Sequence, residues 1–344
     1  MAKQQKDPIN YSAEIKRLRS EGPQRMYVLY GEEDYLREQY FEELKKLCVE
    51  PGNEEFNFRR IDSATVKTPE LAEAIDAVPF FSEHTFVELR GLDINQYKEQ
   101  SAEEFLKIAA DIPDYCTVAI ILPNGSTPDG RTSFVKKLKK ISVFLEFTKQ
   151  DGSALQNWII RRFGSMGKNI GRTEADHLVF TSGNLMNGLI PEIEKISQYC
   201  HSDTVTKADI DAVAHHLPDA KVFDMTDRLS RGDNDGAMSI LSELLQMKSE
   251  HPIKINAIVG MQMRNLYAAR LSIDNRLGKS YVKEVTNRND YSAEQFISCA
   301  RRFTVERLRH AVMLCADYDY AMKSSSADDN ELMRELVLRL AVGK

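Results

Sequence analysis

The residue pattern changes character once along this chain, and that change limits its fold more than any other feature. Up to residue 146, short apolar runs that read as strands alternate with amphipathic stretches that read as helices; from about residue 151 nearly everything has helical spacing. The strand-like runs are MYVLYG at 26–31, FNFRRID at 56–62, TFVELR at 85–90, TVAIIL at 117–122 and VFLEF at 143–147. A helix over 10–19 precedes them, with Tyr11, Ile15 and Leu18 on one face and a Gly22-Pro23 break behind it. Residues 35–47 read as a helix opened by Glu32, Glu33 and Asp34, whose negative charge suits a helix N-terminus. Strand, helix, strand, helix in order predicts a parallel sheet flanked by helices, the general frame of nucleotide-binding domains.

In the helical half, Leu155, Trp158, Ile159 and Phe163 form one apolar stripe and Leu185, Leu189, Ile193 and Ile196 a second, with Thr206 placed to cap a third helix. Leu217-Pro218 marks a boundary. Beyond it come the faces of Ala237, Ile240, Leu241, Leu244 and Leu245, then Ile255, Ile258, Val259, Gln262, Leu266 and Ala269, then Val305, Leu308, Val312 and Cys315. The polar run SSSADDNE at 324–331 leads to a last helix carrying Leu332, Leu336 and Leu340. Three segments are expected: an α/β domain over 1–146, a small helical domain over 147–216 and a larger helical bundle over 217–344.

Composition narrows the function classes. The 344 residues carry 46 Lys and Arg against 52 Asp and Glu, a formal charge of −6, which argues against a chain that holds nucleic acid by a general cationic excess. By segment the balance is 20 to 26, 7 to 8 and 19 to 18, so the acidic deficit sits in the α/β segment. No run of about 18 uncharged apolar residues exists, and MAKQQKDPIN lacks the apolar core of a secretory signal; a soluble cytoplasmic chain with no membrane partner is expected. Cys48, Cys116, Cys200, Cys299 and Cys315 are scattered without a CxxC, against a disulfide framework or a thiolate zinc site.

The chemistry of a phosphate-binding loop needs glycines for close backbone approach, a lysine for charge and a Ser or Thr for Mg²⁺. After MYVLYG the chain reads EEDYLREQYF, which puts Glu32, Glu33 and Asp34 where a triphosphate would sit. At the end of the third strand, Arg90-Gly91 stands where an ATPase carries an acidic pair. The His215-His216 pair has no Cys or carboxylate at ligand spacing and reads as a helix end. Gly164, Gly167 and Gly171 around Lys168 follow a helix and read as its terminator. No catalytic, nucleotide-binding or metal-binding residue and no cofactor is assigned.

Two segments stand out. In PFFSE at 79–83 the adjacent Phe80 and Phe81 cannot both point into one sheet face, because side chains alternate along extended chain. The pair either caps the core beneath a loop or forms an exposed hot spot for a partner's apolar pocket. In RTSFVKKLKK at 131–140, Phe134, Val135 and Leu138 supply a buried side while Lys136, Lys137, Lys139 and Lys140 concentrate charge. That charge is either a solvated helix face or a site of salt-sensitive phosphate contacts to DNA.

At these residues the chain resembles the delta-subunit family of bacterial DNA polymerase III clamp loaders. The resemblance spans nearly the whole length: MYVLYGEEDYL, AVPFFSEHTFVELR and PDGRTSFVKKLKK, then LQNWII and SGNLMNGLIPEIEKIS, then VFDMTDRL, RRFTVERLRHAV and DYDYAMKSSSADDNELMRELVLRL. It implies an AAA+-like parallel-sheet domain without ATPase capability, a small helical lid domain and a C-terminal helical collar for oligomerisation. The sensor arginine of active AAA+ lids follows a G-[ND]-L sequence; Gly183-Asn184-Leu185 is followed here by Met186. The resemblance implies that Phe80 and Phe81 form a wedge entering a pocket of the beta sliding clamp and helping to open the ring. It also implies tau/gamma and delta prime subunits as partners, primed DNA within the assembly, and a non-catalytic role in a DNA-directed DNA polymerase (nucleotidyltransferase) holoenzyme. An active AAA+ ATPase and a DNA-binding module outside replication are the competing readings.

Overall fold

MYVLYG becomes strand β1 (Met26–Gly31), buried along its whole length, as a strand covered on both faces must be. The computed structural model describes residues 10–97, 99–150, 152–247 and 250–343, so the leader reading of residues 1–9 lies outside the described residues. Helix α1 (Tyr11–Glu21) precedes β1, and the Asn10 side chain caps it by accepting from Ala13 N–H at 3.2 Å. After β1 come α2 (Asp34–Cys48), α3 (Glu54–Asn57), β2 (Phe58–Asp62), α4 (Thr68–Asp76), β3 (Thr85–Arg90), α5 (Glu99–Ala110), β4 (Cys116–Ile121), α6 (Ser133–Leu138) and β5 (Val143–Phe147). The five strands form one sheet in the order β2-β3-β4-β1-β5, with every neighbouring pair parallel. The expected parallel α/β frame is present.

Alternation along the strands divides the core. Val28, Val87, Leu89, Val118 and Ile120 face one layer with Leu71 and Ile75 of α4, Phe105 of α5 and Val135 and Leu138 of α6. Against the other face lies α2, where Tyr40 meets Tyr27 at a ring separation of 6.2 Å and Phe41 meets Phe86 at 5.5 Å. One sequence expectation is corrected: the second strand begins at Phe58, because Glu54–Asn57 closes a turn of helix first. Residues 56–62 read as strand, but Phe56 and Asn57 complete that helical turn, and the Asn57 side chain bonds the Asn53 and Phe80 backbone.

The chain divides into two compact units, Met1–Gln150 with Leu185–Asn187, and Asp151–Asn184 with Gly188–Lys344. The second contains α7 (Gly152–Ser165), β6 (Asn169–Ile170), α8 (Arg172–Ser182), α9 (Met186–Tyr199), β7 (Thr204–Val205), α10 (Lys207–Val213), α11 (Pro218–Arg231), α12 (Asn234–Gln246), α13 (Pro252–Asp274), α14 (Gly278–Thr286), α15 (Asp290–Ala300), α16 (Val305–Ser324) and α17 (Asp329–Val342). Thr206 caps α10 as expected, in a reciprocal capping box with Asp209. Leu189, Ile193 and Ile196 form the buried stripe of α9, whereas Leu185 stands just before the helix and is exposed. The longest helix, α13, runs through the core of this unit, placing Ile255, Val259, Met263 and Leu266 among Leu308 and Leu314 of α16 and Leu336 and Leu340 of α17. Of the glycines around Lys168, Gly164 lies within α7, Gly167 at φ = 74° follows its end, and Gly171 instead caps the start of α8; the Lys168 ammonium bonds the Cys200 and Ser202 carbonyls at 2.8 and 2.7 Å. Among the described residues no helix is long and apolar enough to cross a membrane.

Candidate functional site

The loop between α4 and β3 presents both phenylalanines outward: Phe80 is 49% and Phe81 80% exposed. Their rings meet edge to face with centroids 4.4 Å apart, a favoured aromatic geometry. Phe56, on α3, is 56% exposed and stands 5.0 Å from Phe80. Three aromatic rings thus lie in a row on the surface, and Val78 in the same loop is exposed as well. PFFSE by itself carries two of the three rings; the third comes from a segment more than twenty residues earlier, whose alternation predicts strand.

The loop is held by two asparagines. Phe80 N–H donates to Asn57 Oδ1 at 2.7 Å, and Asn57 Nδ2 donates to the Phe80 carbonyl at 2.8 Å. Asn53 Nδ2 donates to the Phe81 carbonyl at 3.0 Å, and the Asn53 side chain makes no cap bond to α3. Phe81 has φ = 52°, a left-handed conformation that costs a bulky residue about 1 kcal/mol or more. That strain persists because the amide bonds on either side fix the backbone. The sequence signal for this arrangement is NEEFN itself: two amides four apart share one face of a helical turn, and Asn side chains readily satisfy backbone groups of turns.

Helix α6 carries the lysine cluster as expected. Thr132 caps it by accepting from Val135 N–H at 3.3 Å, and Phe134, Val135 and Leu138 are buried. Lys136 and Lys137 lie within the helix, Lys139 and Lys140 just beyond it, and all four are exposed. Lys139 is partly engaged, its Nζ standing 5.4 Å from the centroid of the Phe144 ring. Because every strand is parallel, the loop entering β3 and the end of α6 entering β5 lie at the same edge of the sheet, with β4 and β1 between those strands.

The opposite edge, at the C-terminal ends of the strands, is where parallel α/β sheets bind ligands. There a cleft of about 290 Å³ is lined by Gly31, Glu32, Gly125, Ser126, Thr127, Glu146, Thr148 and Lys149. Lys149 pairs with Glu32 at 2.8 Å. Glu33 is buried, with Oε2 accepting from the N–H of Met186, one of the three residues grouped with this unit, at 3.3 Å, and Oε1 unpartnered. Burial pushes its carboxyl above the usual range. Arg37 reaches Asp34 at 2.9 Å and Asn124 at 2.7 Å, so its charge too is spent internally. At the end of β3, Arg90 forks onto Glu38 and also bonds Glu88. Gly31, at φ = 127°, packs so closely that a Cβ there would collide with the Phe147 carbonyl: this glycine serves strand packing. Among the described residues no three His, Cys, Asp or Glu side chains are grouped to hold a metal, and His216 Nδ1 lies 3.4 Å from Asp224.

Comparison with known proteins adds a family. A family model described as DNA polymerase III, delta subunit, matches residues 27–148, and one described as DNA polymerase III delta subunit, C-terminal domain, matches residues 219–340. The chain is 22% identical over 321 residues to DNA polymerase III subunit delta of Bacillus subtilis (strain 168), covering 92% of each protein. It is 19% identical over 322 residues to a probable DNA polymerase III subunit delta of Aquifex aeolicus (strain VF5), covering 91% of this chain and 90% of that one. A solved structure of the Bacillus subtilis DNA clamp loader delta protein YqeN superposes with a TM-score of 0.52 at 20% identity, covering 96% of this chain and 99% of that one, and so shares its fold.

Proposed function

The chain belongs to the DNA polymerase III delta subunit family, and from that premise we propose that it binds the beta sliding clamp through Phe80 and Phe81 and helps open it for loading onto primed DNA. The observation that carries this reading is the exposure of both rings on a loop whose backbone is fixed in advance. Burying two such rings in an apolar pocket contributes several kcal/mol at about 25 cal/mol per Å², before association costs. Binding opens a ring only insofar as the open clamp is bound more tightly than the closed one.

In this reading residues 1–146 are the AAA+-like clamp-contacting domain, 147–216 the lid and 217–344 the collar that joins the tau/gamma and delta prime subunits in the cytoplasm. The chain has no active site of its own. The carboxylate lining the cleft after β1 and the paired Arg90 support that, since a triphosphate there would meet Glu32. Lys136, Lys137, Lys139 and Lys140 give local contact with DNA phosphates. The test is co-purification of the chain with the clamp, together with an ATP turnover assay on the chain alone. Recovery of the clamp without turnover is expected. Turnover abolished by substitutions just after Gly31 would favour an active ATPase instead.

A further inference from the structure

Asn57 is 1% exposed, yet its side chain spends both its acceptor and a donor on one residue of a surface loop. A buried amide satisfied in this way fixes the loop's position relative to α3, and α3 carries Phe56. The same helical turn therefore contributes a brace and a ring: Asn53 and Asn57 hold the Phe81 and Phe80 carbonyls, while the Phe56 ring meets Phe80 at a tilt of 48° with centroids 5.0 Å apart. Phe56 is 56% exposed, so much of its ring faces solvent rather than the core.

We propose that the clamp-docking surface is a three-ring cluster, Phe56 with Phe80 and Phe81, and that Asn57 is the positioning residue that presents it. The inference rests on the clamp-binding reading above and extends it from a dipeptide to a two-segment surface. Its occupant is the same apolar pocket of the clamp: the Phe56 ring is continuous with the Phe80 ring, so a pocket that takes one closes over the edge of the other. Asn57 acts through the loop. By bonding both polar atoms of the Phe80 backbone and backing the strained Phe81, it removes conformations that would otherwise be lost on binding, the general route by which preorganisation raises affinity.

The test measures clamp affinity for the full chain carrying Phe56→Ala, Asn57→Ala, Phe80→Ala, Asn57→Ala with Phe80→Ala, and Phe80→Ala with Phe81→Ala, with melting curves for each. Phe56→Ala should weaken binding by about fivefold or more, about 1 kcal/mol, the loss that separates an energetically important interface residue from a near-neutral one, with an unchanged melting temperature. Asn57→Ala should weaken binding in the wild-type background and much less when Phe80 is already Ala, because a brace has little to present once the ring is gone. A purely structural role would give the same loss in both backgrounds and would overturn the positioning assignment. Wild-type affinity for Phe56→Ala, with Phe80→Ala impaired, would overturn the third ring while leaving the clamp-binding reading intact. Undiminished binding when Phe80→Ala is combined with Phe81→Ala would instead sink that reading itself.

Discussion

Arg90 and Glu38 meet through two parallel hydrogen bonds, Nη1 to Oε1 and Nη2 to Oε2, each 2.8 Å long, joining the end of β3 to α2. Burial pushes the Glu38 carboxyl up, and the Arg90 bonds and charge more than offset it, so its pKa lies below the ordinary glutamate value. A carboxyl lowered in the folded state contributes stability that is complete above its unfolded pKa and is lost as pH falls through its folded pKa. Glu38→Gln should therefore cost about 1 kcal/mol or less near neutral pH, given solvent screening of a partly exposed pair. In urea unfolding, the gap between wild type and variant should narrow progressively as pH falls below the ordinary glutamate value of about 4.3.

Glu33 has the opposite sign. Burial raises its folded pKa, so the penalty for holding it ionised is absent below the unfolded pKa and complete above the folded one. Glu33→Gln should melt higher than wild type at pH 8, and its advantage should shrink steadily on acidification. A variant that melts lower at every pH would show that the carboxylate is stabilising the turn after β1.

The lysine cluster makes a claim about salt. Replacing Lys136, Lys137, Lys139 and Lys140 by Glu should weaken DNA binding by the assembled loader and reduce the slope of log K against log salt by up to about 3–4, at about 0.9 for each duplex phosphate no longer neutralised. Because Lys139 partly covers the Phe144 ring, its single replacement should have a smaller effect than that of Lys136 or Lys137. An unchanged slope for the quadruple variant would reduce the cluster to a solvated face.

Much of this fold is legible in the sequence because its strands are short, the central β1, β3 and β4 are apolar and buried, and each is separated from the next by helical spacing. MYVLYG, TFVELR and VFLEF appear as strands where their residues predict them, and Thr206 caps where it should. The reading fails where a side chain competes with the local pattern. Phe56 and Asn57 look like the start of a strand, but the Asn57 amide is drawn to a loop more than twenty residues away, and the backbone turns as helix. Leu185 matches the spacing of the α9 stripe yet precedes the helix, because periodicity does not say where a helix begins. For the candidate site, PFFSE marks itself by composition, whereas its brace and third ring depend on a tertiary contact that spacing cannot reveal.

The central claim is that this loop binds the clamp, and a binding titration of the full chain against the beta sliding clamp tests it most directly. Replacing both Phe80 and Phe81 by Ala, with melting temperature and circular dichroism unchanged, should weaken the affinity at least a hundredfold, about 2.7 kcal/mol. Equal affinity of wild type and double variant would contradict the account.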